Sequence, residues 1–224
     1  ASEIMMNYIK TNVRPHKGND AVFMESFSEH YFCKNRLPLL SSNNKEPHLV
    51  FLGRTDFSRK NPLDDVRDII QEIARQKIHF HLRQPACGLE KDDYIHTFPV
   101  FRSKDTFNGK LADFMTQFDA CIVVYNFLNG WCRDRFCNTL PSRFLFAFTS
   151  GIPIALPEGL LPSCEKVIRD YNIGFTYRNA IELKEKLYNR TLMERLHKNA
   201  LECYKNFTFE ANFHKLDRFI KELI

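Results

Sequence analysis

The sequence predicts an α/β fold, a doubly wound parallel sheet. Three observations predict it. Short apolar runs recur from His48 onwards, stretches of helical periodicity separate them, and Gly or Pro marks several of the junctions. Strands alternating with helices of ten to fifteen residues read as βαβ units, and such units build parallel sheets.

The elements follow in order. His48-Leu-Val-Phe-Leu52 is a short apolar run closed by Gly53 and reads as a buried strand. Asp64 to Gln76 carries Val66, Ile69, Ile70 and Ile73 at helical spacing, with Asn61 as N-cap and Pro62 at the first helical position. Ile78-His-Phe-His-Leu82 alternates like a strand, and His96 to Phe101 is a weaker strand. Gly109 to Gln117 reads as a short helix with Leu111, Phe114 and Met115 on its apolar face.

Phe118 to Tyr125 is the clearest core strand. Pro141 to Thr149 reads as a helix capped by Thr139 and stopped by Gly151. Ile152 to Leu156 and Ile173 to Tyr177 are strands, with a helix from Leu161 to Tyr171 between them. Three helical segments close the chain: Ala180 to Tyr188, Thr191 to Cys203, and Phe209 to Leu223.

Residues 1–46 differ. They hold a short apolar run, Ala21-Val-Phe-Met24, and a linker-like stretch from Leu39 to Pro47 rich in Ser and Asn. The predicted organisation is 1–46 as a tail and linker, 47–205 as the main domain, and 206–224 as a C-terminal helix.

Of the 224 residues, 44% are hydrophobic and 26% charged, an ordinary globular balance. The net charge of +5 favours anionic partners, but basic and acidic residues interleave, so nucleic acid is not expected. Seven cysteines, an odd number with no CxxC pair, argue against a disulfide framework and a zinc finger, and favour a reducing, cytoplasmic setting. No apolar run approaches a membrane span, so any membrane association is expected to be peripheral, at the inner face.

Two stretches carry candidate chemistry. Phe51-Leu-Gly-Arg-Thr-Asp-Phe-Ser-Arg-Lys60 follows a strand, with Gly53, Arg54, Arg59 and Lys60 ahead of a helix. Cations beside a helix N-terminus suit a diphosphate, because side chains and backbone dipole attract the same charge. Arg133 to Arg143 follows the core strand, and Asn138, Thr139, Ser142 and Arg143 surround the start of the next helix. His79 and His81 share a strand face, but no third metal ligand is evident, and no metal is expected. There is no GxGxxG, Walker A or Ser-His-Asp signature.

In this order and spacing, the two stretches resemble the C-terminal, donor-binding domain of GT-B glycosyltransferases of the family-4-like group, a Rossmann-like half of a two-domain fold. The matching residues are Gly53-Arg54 with Lys60, and later Ser150-Gly-Ile-Pro-Ile154 and Ile173-Gly-Phe175. The likeness covers roughly residues 48–224. It implies that Arg54 and Lys60 contact a donor diphosphate, that Ala21 to Ser26 closes an N-terminal acceptor domain, and that the helix from Phe209 crosses back to that domain. The family places two glutamates eight positions apart around the helix, and the aligned positions here are Asn138 and Phe146.

The resemblance thus implies a glycosyltransferase. It would take a nucleotide diphosphate sugar as donor and a glycan or lipid-linked acceptor, in polysaccharide or glycoconjugate biosynthesis, with no cofactor required. No catalytic base is assigned, since it would come from the other domain. The competing readings are a non-catalytic nucleotide-binding or interaction module, and a sugar-nucleotide epimerase, which would need carboxylates and a His near the donor.

Overall fold

The computed structural model describes residues 3–12, 26–55, 57, 62–86, 88–127 and 137–223. They form a six-stranded, all-parallel sheet in the order β3-β2-β1-β4-β5-β6. The strands are β1 (His48–Phe51), β2 (His79–Arg83), β3 (Ile95–Phe98), β4 (Ala120–Ile122), β5 (Ile154–Pro157) and β6 (Gly174–Tyr177). The order reverses direction between β1 and β4, which pair through Leu49↔Ala120 and Phe51↔Ile122.

Apolar alternation explains the layers. Leu49, Phe51, Phe80, Leu82, Ala120, Ile122 and Ala155 point to one face, where they meet Ile70 and Ile73 of α3 (Arg67–Arg75), Leu183 and Leu187 of α8 (Ala180–Tyr188), and Met193 and Leu196 of α9 (Arg190–Cys203). Val50, Cys121, Val123, Ile154 and Leu156 point to the other. There they meet Met115 of α5 (Lys110–Met115), Phe144, Leu145 and Phe148 of α6 (Ser142–Ser150), and Cys164 and Ile168 of α7 (Pro162–Tyr171). Helices on both faces of a parallel sheet make the predicted doubly wound arrangement.

The remaining helices are α1 (Glu3–Asn12), α2 (Ser41–Asn44), α4 (Ser103–Phe107) and α10 (Phe209–Leu223). Residues 26–46 lie against the main body: Phe32 is buried in the second cluster, and Phe27 forms a parallel bridge with Thr208. The run Ala21 to Glu25 lies outside the described residues.

Several boundaries differ from the sequence reading. The stretch from Pro62 opens as a 3-10 turn, Pro62–Asp64, and α3 starts only at Arg67. The backbone N–H of Asn126 takes the Leu63 carbonyl at 2.8 Å, the acceptor that an uninterrupted α-helix would offer to Arg67. Asn61 lies outside the described residues. Thr139 is not the cap of α6: Pro141 holds that position, with no side-chain cap bond. Gly151 does end α6, in the left-handed region at φ 59°. The strand expected over 118–125 is regular only from Ala120 to Ile122, although Val123 to Tyr125 stay buried. The strand expected over 96–101 runs from Ile95 to Phe98.

Candidate functional site

The C-terminal ends of β1 and β4 flank the point where the strand order reverses, and open α/β sheets bind ligands there. β1 delivers Gly53 and Arg54. The 3-10 turn delivers Asp64. β4 continues into Tyr125 and Asn126, and α6 begins with Ser142 and Arg143.

Arg143 is the centre of this crevice. Its Nη2 donates to Asp64 Oδ1 at 3.0 Å and its Nη1 to the Val124 carbonyl at 3.0 Å. Its guanidinium carbon lies 4.0 Å from the Tyr125 ring centroid, a cation–π distance. Its side chain is 10% exposed and that of Asp64 is 9% exposed, so this is a buried ion pair. Arg54 is different: its side chain is 70% exposed, and its Nε lies 4.0 Å from Asp64 Oδ2. The crevice thus holds one cation fixed in the floor and one reaching into solvent above the same carboxylate.

The turn is fixed from both sides. Asn126 donates from Nδ2 to the Asp65 carbonyl at 2.9 Å. The Asp65 carboxylate accepts from Arg67 Nε at 2.8 Å and Nη2 at 2.6 Å, and these bonds hold its carboxyl below the ordinary aspartate range. Burial pushes the Tyr125 phenol up.

The other predicted site residues divide. Ser142 is exposed at the first position of α6. The carbonyls of Asn138 and Thr139 accept from Ser163 Oγ at 2.9 Å and Cys164 Sγ at 3.8 Å, which ties that loop to the start of α7. Phe146, at one of the two family glutamate positions, stacks on Phe27 with centroids 4.4 Å apart. Lys60, Arg59, Arg133 and Arg135 lie outside the described residues.

Asp64 and Tyr125 are the residues that sequence reasoning missed. Asp64 reads in sequence as an ordinary helix-start acid, and its partner is 79 positions away. Among the described residues no group of three or more His, Cys, Asp or Glu is arranged to hold a metal ion. Nor is any described helix long and apolar enough to cross a membrane.

No family model matches the chain, and no curated protein matches it in sequence. Solved structures do. Sucrose-phosphate synthase from Thermosynechococcus elongatus superimposes with a TM-score of 0.64 at 14% identity, over 100% of this chain and 57% of that one. The pneumococcal O-GlcNAc transferase GtfA, solved in complex with UDP and GlcNAc, gives a TM-score of 0.54 at 12% identity, over 97% of this chain and 42% of that one. The fold is therefore the Rossmann-like α/β fold of one half of a GT-B protein. The chain spans about half the length of these two proteins.

Proposed function

We propose that this chain is the donor-binding half of a glycosyltransferase, holding a nucleotide diphosphate sugar in the crevice between β1 and β4. The observation that carries the reading is the exposed Arg54 guanidinium at the carboxyl end of β1, beside the reversal of strand order. Arg54, together with Lys60, would neutralise the diphosphate. Ser142 at the start of α6 would offer its amide and hydroxyl, and Asn138, Thr139 and the backbone at Gly53 would line the rest. Arg143, already paired with Asp64, would shape the floor rather than leave it for the ligand.

The acceptor, a glycan or lipid-linked molecule in polysaccharide or glycoconjugate assembly, would bind a second domain. Phe209, Phe213 and Ile220 of α10 are exposed, which supports packing of that helix against such a domain. Because GtfA is described with UDP, UDP is the first nucleotide to try, followed by GDP and ADP.

A thermal-shift and calorimetric screen of these nucleotides tests the proposal, with stabilisation expected for at least one. Arg54→Ala should then weaken that nucleotide by about 1.5–3 kcal/mol, the range for hydrogen bonds to charged groups. No binding by any nucleotide diphosphate would sink the reading. One observation favours a second reading, a nucleotide-binding module without transfer: Phe146 packs on Phe27 where the family has a carboxylate. Binding without donor turnover in the full-length protein would select it.

A further inference from the structure

Four histidines from three strands meet on one face of the sheet, away from the crevice. His48 of β1 is in register with His79 of β2, and His81 of β2 with His96 of β3. The rings of each pair stack, with centroids 4.3 and 4.6 Å apart. Their nitrogens also meet in two diagonal runs. His48 Nδ1 lies 2.9 Å from His81 Nε2, and His79 Nδ1 lies 2.8 Å from His96 Nε2.

Both runs end on the segment that leads into β1. His48 Nε2 is 3.0 Å from the Asn44 side-chain nitrogen, and His79 Nε2 is 2.9 Å from Glu46 Oε2. The other Glu46 oxygen accepts from the Tyr94 hydroxyl at 3.3 Å. Helix α2 buries no residue, so apolar packing does little to hold Ser41–Glu46 in place. Polar contacts hold it: those to the histidines, Ser41 Oγ donating to Asp119 Oδ1 at 2.6 Å, and the Leu40 N–H donating to the Gln117 carbonyl at 2.9 Å.

A nitrogen–nitrogen contact accommodates one proton. Asn44 Oδ1 accepts the Glu46 N–H at 3.1 Å, so the Asn44 amino group is left to donate to His48 Nε2. His48 must then donate from Nδ1 to His81. The Glu46 carboxylate accepts from His79 Nε2, so His79 Nδ1 accepts from His96. Both ring-to-ring contacts, and those of His48 to Asn44 and of His79 to Glu46, are filled with all four rings neutral, while the Asn44 amino group, 3.0 Å from His79 Nε2, meets a second donor there. One more proton on His48 Nε2 faces the Asn44 amino group at 3.0 Å, and one on His81 Nε2 faces the His48 Nδ1–H at 2.9 Å, unless His48 Nε2 turns its donation to Asn44 Oδ1, a longer contact of 3.3 Å shared with the Glu46 N–H.

We propose that the ladder of His48, His79, His81 and His96 forms a pH-sensitive latch that holds the Ser41–Glu46 segment to the sheet and releases it when His48 or His81 is protonated. The segment joins residues 26–40, which have their own contacts to the body, to the start of β1. It lies opposite the crevice and acts without any ligand there.

The surroundings agree. Burial first, then the neighbouring imidazoles, lower His48 to about 4 and His81 to about 3, and burial lowers His96. Asp92 and Asp93 face His96 and favour a proton there, so His48 and His81 are the sensitive rungs. Asp119, Tyr188 and His197 face the segment across a cavity of about 570 Å³ that also touches Ser41 and Glu46. Burial raises the Asp119 carboxyl, an effect of opposite sign to that on the histidines.

Hydrogen exchange of the unaltered chain between pH 7.5 and 5.5, corrected for intrinsic rates, tests the latch. Protection across 41–47 is expected to fall by about tenfold for each histidine that charges on release, given an ordinary pKa near 6.5 in the open segment. The strands β4 and β5 should lose less. Protection across 41–47 that is independent of pH, or that falls no more steeply than in β4 and β5, would overturn the proposal. His81→Met should flatten the pH dependence, and His48→Gln provides the same reading where His81→Met does not fold. A dependence that stays as steep in the folded variant would also refute it.

Discussion

A Cβ on residue 53 would enter the Phe51 ring and lie 2.7 Å from Arg143 Nη1. Phe51 is fully buried and Arg143 is held by three partners, so neither can move cheaply. Glycine is needed here for space, and not for an unusual φ. Gly53→Ala is expected to cost about 1–3 kcal/mol, the range for overpacking a filled core, measured by urea unfolding. Asp64 matters more. Asp64→Ala strands the Arg143 guanidinium in a buried site, at an expected cost of about 3–5 kcal/mol in the same measurement. Its effect on Arg54 should be small, because that contact is long and solvent-screened. A loss below 1 kcal/mol would mean that Arg143 finds another partner or water. Asp64's place could not be read from the chain, since an acid before a helix is common and its partner arrives from α6.

At the scale of elements, periodicity was a reliable guide to the C-terminal helices. α8 and α10 have the bounds the sequence suggests, and α9 starts one residue earlier. α4 was missed because Ser103-Lys-Asp-Thr-Phe107 offers only one apolar residue, so no periodic face exists to recognise. Caps were harder. Asn179 and Asn189 accept the amides of Glu182 and Leu192 at 2.9 and 3.0 Å, as N-caps should. Thr139 has the right chemistry but stands two residues before the cap position that Pro141 occupies. Asn179→Ala is expected to lower stability by about 1 kcal/mol, read as a fall in Tm, and Asn179→Ser to restore most of it. Equal losses in both variants would show that the amide packs rather than caps.

At the scale of the molecule, acid should destabilise the fold through buried histidines. Burial, before any other cause, lowers His197 to about 4, and the same cause acts on His48 and His81. A histidine whose folded pKa lies below 6.5 binds fewer protons folded than unfolded. Its stabilisation is therefore complete above pH 6.5 and is lost as pH falls towards the folded value, at up to about 1.4 kcal/mol per pH unit for each group. Thermal melts at pH 7.5, 6 and 5 should show Tm decreasing. His197 also has a buried Nε2 without a hydrogen-bond partner, so His197→Met should remove part of that decrease. An unchanged slope would mean that His197 gains a partner in acid. The exposed apolar residues of α10, Phe209, Phe213 and Ile220, belong to this scale too.

The sequence by itself determined the alternation of strand and helix, because burial on two faces of a parallel sheet imposes apolar runs and helical stripes that a single chain displays. It also determined that Gly53 and Arg54 follow the first strand, since that depends on neighbours a few residues away. Only the tertiary structure decided the strand order, the burial of Arg143 on Asp64 and the joining of four histidines into one ladder. Each of these rests on contacts between segments 15 to 79 residues apart, and no local pattern encodes which distant partner a charge or an imidazole will meet.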